Sequence, residues 1–128
     1  AAQLYGAMGV ERKDLVARKA AYLRNQACFD APHAVFVFMQ QPFDAREATD
    51  LGIYAQTLML ALTARGIASC AQGALALYPP IVRDHLGVCD DYRLMFGISF
   101  GYEDKQVPAN AARVGRASLE EAVVFHRD

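Results

Sequence analysis

Three sets of residues in this 128-residue chain could do chemistry by type and spacing. The first is Gly97-Ile-Ser-Phe-Gly101, which has the spacing of a G-x-S-x-G nucleophile elbow. An elbow needs a strand, a tight turn and a helix, with the serine at the turn. Ser99 lies inside an apolar run and is followed by a loop from Glu103 to Pro108, so the pattern predicts an ordinary strand residue. His126 would be the base of such a serine hydrolase, and nothing in the sequence places it nearby. The second set is His33, His85, His126 and Cys28, Cys70, Cys89. No two of these share metal-ligand spacing, so no metal site is expected, and all three histidines read as structural. An odd number of distant cysteines fits a reducing cytoplasm better than a disulfide framework.

The third set is the run Gly66-Ile-Ala-Ser-Cys-Ala-Gln-Gly-Ala74, together with Arg113 and Arg116. The small residues read as a turn whose free backbone N–H groups can face a planar acceptor. The two guanidiniums are planar forks suited to a phosphate, although composition alone makes them surface residues. Asp90-Asp91 and Glu103-Asp104 read as turn acids, and no buried carboxylate pair is visible, so no catalytic side chain is assigned. The chain has neither G-x-G-x-x-G nor a P-loop, which excludes a dinucleotide held in the Rossmann manner.

These residues must be positioned by a small core. The chain is 54% apolar and 21% charged, a balance that excludes disorder. Thirteen basic and fourteen acidic residues give a net charge of −1, so no global field favours nucleic acid or an anionic membrane. The uncharged stretch from Leu51 to Ala64 is too short to span a bilayer and reads as a core helix. One domain over residues 1–128 is expected at this length.

Residues up to Gly9 alternate small and polar types, and a helix is expected from Glu11 to Gln26 with Leu15, Tyr22 and Leu23 inward and a solvated basic face. Ala34 to Met39 is a strand apolar on both faces, the pattern of a strand covered on both sides. Asp44-Ala-Arg-Glu47 is a capping box opening a helix through Leu51, Tyr54, Leu58 and Leu62 to Arg65. Gly66 supplies its left-handed end. Apolar residues surround that helix almost completely, so it is central or forms an interface. A short helix starts at Pro79-Pro80 and ends at His85-Leu86-Gly87. Arg93 to Gly101 is a second buried strand, and Ser118-Leu-Glu-Glu121 caps a terminal helix through Val123, Val124 and Phe125. The result is an α+β pattern with two buried strands, which need neighbours from a partner subunit or from a longer protein.

The order of these segments carries a resemblance. Arg24 to Pro32 (RNQACFDAP), then VFVFM, then Asp50 to Cys70 (DLGIYAQTLMLALTARGIASC), then YPPIVRDHLGV, MFGISFGYED and NAARVGRASLEEAVVFH, are similar to the second half of a nitroreductase-family flavoprotein. The resemblance covers nearly the whole chain. It implies an α+β sheet flanked by helices, an intertwined homodimer built on long helices, and FMN at the subunit interface. It also implies hydride transfer from NAD(P)H through the flavin to nitroaromatics, quinones or similar acceptors. By resemblance, Gln72, Gly73 and Ala74 lie against the flavin near N5, with Ala71 where a proline is common. Arg116 matches the residue that holds the FMN phosphate, and Arg113 is a second candidate. Val114 stands where some members carry another basic residue. The family's Arg- and Ser-containing opening segment has no counterpart here, so the fold and the flavin site are expected to be incomplete in this chain. The alternative is a non-catalytic dimerisation or ligand-binding module of the same ancestry.

Overall fold

A computed structural model describes residues 2–126 of the protein. They divide into two compact units, residues 19–103 and residues 2–18 with 104–126.

The larger unit is built on a three-stranded antiparallel sheet. Its strands are β1 (His33–Gln40), β2 (Ala68–Gln72) and β3 (Tyr92–Gly101), in the order β1-β3-β2. Strands β1 and β3 form where the sequence concentrates Val, Ile and Phe, the side chains that suit a pleated surface. Strand β2 carries none of those signals, because its sequence is Ala-Ser-Cys-Ala-Gln. The turn expected at Gly66–Ala74 is therefore a strand over most of its length. Small residues are extended there because β3 offers a row of backbone partners, with Cys70 opposite Ser99 and Gln72 opposite Gly97. One neighbour missing from the sequence reading thus comes from this chain itself.

Full covering of both strand faces is also corrected. Along β1 only Val37 and Met39 are buried, and Val35, Phe36 and Phe38 are half-buried. A register shift between Val37 and Phe38 leaves Met95 unmatched in β3, a bulge that bends the central strand. Beyond it Ile98 is completely buried and Ser99 is 3% exposed. Ser99 is a mid-strand residue, as its sequence setting predicts.

Helix α3 (Ala45–Thr63) packs against β1 and β2. Asp44 precedes it, and the Glu47 carboxylate accepts the Asp44 N–H at 3.0 Å, the expected capping box. Leu51, Ala55, Leu58, Met59 and Leu62 form its inner stripe, whereas Ile53, Tyr54 and Leu60 are exposed. Gly66 closes the helix at φ 72°, and Ile67 donates back to the Leu62 carbonyl at 3.0 Å. Helix α4 (Pro79–Leu86) starts at the expected Pro-Pro and ends at left-handed Gly87.

Gly97 permits the closest approach in the sheet. A Cβ there would lie 2.5 Å from Leu75 Cδ1 and 3.1 Å from Leu75 Cβ. Leu75 belongs to a 3-10 turn, Gly73–Ala76, that folds back over β3.

In the smaller unit, α1 (Ala2–Ala7) lies against α5 (Pro108–Ala111), and the Arg18 guanidinium stands 5.6 Å from the Tyr5 ring centre. Helix α2 (Leu15–Leu23), whose first four residues belong to this unit, is shorter than the expected Glu11–Gln26, because Asp14 accepts the Ala17 N–H at 2.8 Å and caps it. Its Leu15, Tyr22 and Leu23 are exposed rather than inward. The terminal helix α6 (Leu119–Ala122) also falls short of expectation. Ser118 Oγ accepts from the Glu121 N–H at 3.3 Å, but Val123 is already extended. The β-branched pair Val123-Val124 favours that conformation over another helical turn. Hydrogen bonds from its own backbone and from the Ser118 side chain hold the exposed Glu120 carboxyl below its ordinary pKa. No helix among the described residues is long and apolar enough to cross a membrane.

The contact at Gly97 makes a direct prediction. Gly97→Ala should destabilise the fold by about 1–3 kcal/mol through overpacking against Leu75. Leu75→Ala in the same background should restore part of the loss. Thermal unfolding of the single and double variants checks this, and equal Tm values for Gly97→Ala and the parent would contradict it.

Candidate functional site

Gln72, Gly73 and Ala74 lie where β2 hands over to the 3-10 turn. The first N–H groups of any helical turn have no carbonyl within it. Among the described residues, no loop or turn carbonyl takes the N–H of Gly73 or Ala74. A Cβ on Gly73 would meet nothing within 4 Å, so this backbone is open to a close approach. The chain thus presents free donors on an accessible ledge, with Leu75 buried behind it.

Gln72 is the opposite kind of residue, a polar side chain only 3% exposed. Its Nε2 donates to the Asn25 carbonyl at 3.1 Å and to Asn25 Oδ1 at 3.3 Å. Its Oε1 has no partner, the one such buried side-chain atom among the described residues. An unmet buried acceptor costs roughly 1–3 kcal/mol, so its retention points to a donor from outside these residues. Gln26 completes the surroundings by donating from Nε2 to the Ala74 carbonyl at 3.1 Å.

Asn25 and Gln26 were not identified as site residues from the sequence. The signal available was their place in the quoted run from Arg24 to Pro32. The structure shows why that run is unusual. Cys28, Phe29 and Asp30 have φ values of 52°, 54° and 64°, three successive non-glycine residues in the left-handed region. Each costs roughly 1–2 kcal/mol on steric grounds. The turn is held by Cys28, Phe29 and Asp30 N–H groups donating to the Asn25, Arg24 and Ala27 carbonyls, and by an Arg24–Asp30 ion pair at 2.8 Å.

Arg113 and Arg116 belong to the other compact unit. Arg113 Nη1 donates to the Asn110 carbonyl at 2.5 Å, and Arg116 Nη1 to the Val114 carbonyl at 3.0 Å. Both guanidiniums contact neutral main-chain oxygens, and the ion pairs among the described residues are Arg24–Asp30 and Arg83–Asp90. Their positive charge is therefore not neutralised by a carboxylate. His33 stacks on Phe100 with ring centres 5.4 Å apart, and His85 sits in the last turn of α4.

The family to which the chain belongs is shown by its sequence. The sequence model of the nitroreductase family matches residues 4–102. The chain is a member of the nitroreductase family. Among curated proteins, nitroreductase NfnB of Mycolicibacterium smegmatis is 43% identical over 125 residues, which are 98% of this chain and 53% of that protein. Nitrobenzene nitroreductase of Ectopseudomonas oleovorans is 30% identical, with 96% of this chain and 54% of that protein covered. The crystal structure of the FMN-dependent nitroreductase NfnB from Mycobacterium smegmatis in complex with NADPH superposes with a TM-score of 0.94 at 42% identity. It covers 98% of this chain and 56% of that one. The chain spans about half the length of the curated relatives it matches.

Next to this ledge, Cys70 is a free thiol whose pKa burial pushes upward, although the residue as a whole is exposed. The thiolate is the reactive form, so a raised pKa means a neutral, slow thiol at pH 7. Iodoacetamide labelling of Cys70, followed by peptide mass spectrometry, should rise with pH along a curve displaced to higher pH than that of a free cysteine peptide. A curve at or below the peptide's would show that the thiol is not desolvated.

Proposed function

We propose that the protein is an FMN-dependent oxidoreductase, or part of one subunit's flavin site, which takes hydride from NAD(P)H and passes it to nitroaromatic, quinone or similar acceptors. The observation that carries this reading is the ledge at Gly73–Ala74 within a fold that matches an FMN-dependent, NADPH-bound relative.

The described residues fit the group. Free N–H donors on the ledge suit an electron-rich ring nitrogen. The bare edge at Gly73 admits a flat ring against main chain. Arg116, with Arg113 second, supplies planar donors and uncompensated charge for a phosphate. When bound, FMN supplies hydride acceptance and donation, which no side chain of this site performs. The protein binds and orients the ring and stabilises charge at the ring edge through backbone N–H groups.

The exposed stripe Ile53, Tyr54 and Leu60 on α3 supports a homodimer through this helix. Three free thiols agree with a reducing cytoplasm. The other reading is a non-catalytic dimerisation or ligand-binding module of the same ancestry.

The visible absorption spectrum of the purified protein tests the main reading. A flavin band, with FMN released on heating, is the expected result. Arg116→Ala should then weaken FMN retention about tenfold or more, the loss expected for a charge-assisted phosphate contact of roughly 1.5–3 kcal/mol. A colourless protein that refuses added FMN favours the module. Separately, Ile53→Asp should shift the protein toward monomer in analytical ultracentrifugation, and an unchanged sedimentation coefficient would remove α3 from the interface.

A further inference from the structure

The segments at Asn25–Gln26 and Gln72–Ala74 are tied together by two side-chain amides in opposite directions. Gln72 Nε2 reaches from the strand end to the Asn25 carbonyl at 3.1 Å, and Gln26 Nε2 reaches from the loop to the Ala74 carbonyl at 3.1 Å. Each amide thus donates to a backbone oxygen of the other segment, across 47 and 48 residues of sequence. The two bonds bracket the ledge, one at its first residue and one at its last.

We infer that Gln26 and Gln72 are a crossed pair of positioning residues. Together they hold the backbone of the Gly73–Ala74 ledge in register with the left-handed turn at Cys28–Asp30. Three features carry this. First, the bonds run from side chain to backbone, so they fix main-chain position rather than the rotamer of another side chain. Second, Gln72 is 3% exposed while Gln26 is exposed, so a buried and a surface bond act on the same ledge and can be varied independently. Third, the loop end of the clamp is strained: three successive left-handed residues follow Asn25 and Gln26, and such a turn persists only where its surroundings over-determine it. The Asn25 carbonyl accepts both the Cys28 N–H at 3.0 Å and Gln72 Nε2, so the strained turn and the ledge share one acceptor. Release of either amide should therefore be felt on the opposite segment.

That the ledge serves a flavin rests on the reading proposed above, but the clamp does not. Two measurements on the full chain separate them. The first is hydrogen exchange by mass spectrometry without ligand, on Gln26→Ala, Gln72→Leu and Gln26→Lys. Gln26→Ala should speed exchange at residues 73–77, and Gln72→Leu should speed it at residues 25–31, each by about three- to tenfold for one hydrogen bond lost. Gln26→Lys keeps an N–H donor of similar reach and should restore the parent rate. Exchange that changes only on the mutated residue's own segment overturns the clamp. So does a Gln26→Lys variant as fast as Gln26→Ala, which would show that the donor is irrelevant. Should Gln72→Leu fail to fold, the exposed Gln26 pair decides the question alone.

The second measurement is FMN titration of the parent, Gln26→Ala and Gln26→Lys, with Tm recorded for each. A threefold to tenfold weaker affinity in Gln26→Ala, rescued in Gln26→Lys at unchanged Tm, supports a positioning role that general destabilisation would not produce. Unchanged FMN affinity in Gln26→Ala, despite faster exchange at residues 73–77, overturns it. A parent that takes up no FMN defeats the flavin reading, and the exchange data still decide the clamp.

Discussion

Strand β3 pairs with a neighbour on each side, and Leu75 can lie over it only because Gly97 carries no side chain there. Much of the larger unit follows from that contact. The 3-10 turn at Gly73–Ala76 folds onto β3 rather than away from it, which buries Leu75 and holds Gln72 in the sheet opposite Gly97. With Gln72 so placed, its amide is directed to the Asn25 loop, and the free N–H groups that follow it are left at the surface. A bulky residue at position 97 would lift the turn and unseat the ledge.

The polar arrangement around the ledge combines three electrostatic elements. Backbone donors stand open at Gly73 and Ala74, a buried amide acceptor is unmet at Gln72, and a neutral thiol sits two residues before it at Cys70. None is an acid or base of the kind that moves a proton near neutral pH. Such a site can hold and polarise a flat, electron-rich partner but cannot perform redox chemistry on its own. The proposed reading assigns that chemistry to FMN, on which the relative NfnB depends.

Some of this was legible in the sequence because it depends on local physics. The capping box at Asp44–Glu47, the left-handed end at Gly66, the start of α4 at Pro-Pro and its end at Gly87, and the apolar runs of β1 and β3 were all read correctly. Each is set by residues within a few positions of one another. The errors share the opposite origin. Strand β2 was read as a turn because Ala-Ser-Cys-Ala-Gln has no strand propensity, and its conformation comes from a partner more than twenty residues away. Helix α6 was read too long because the capping signal marks a start and says nothing of an end. Asn25 and Gln26 went unnoticed because their roles lie in bonds to residues 47 and 48 positions distant.

The sequence by itself determined the α+β class, the central strand and central helix, the family resemblance and the position of the small-residue run after α3. These rest on hydrophobic period, capping chemistry and segment order, which are properties of neighbouring residues. Only the tertiary structure decided that the run is a strand ending in an open ledge, that Leu75 closes over Gly97, and that two amides lace the ledge to a strained turn. Those features depend on hydrogen bonds and close contacts between segments far apart in the chain, and residue type alone does not encode which distant backbone a donor will meet.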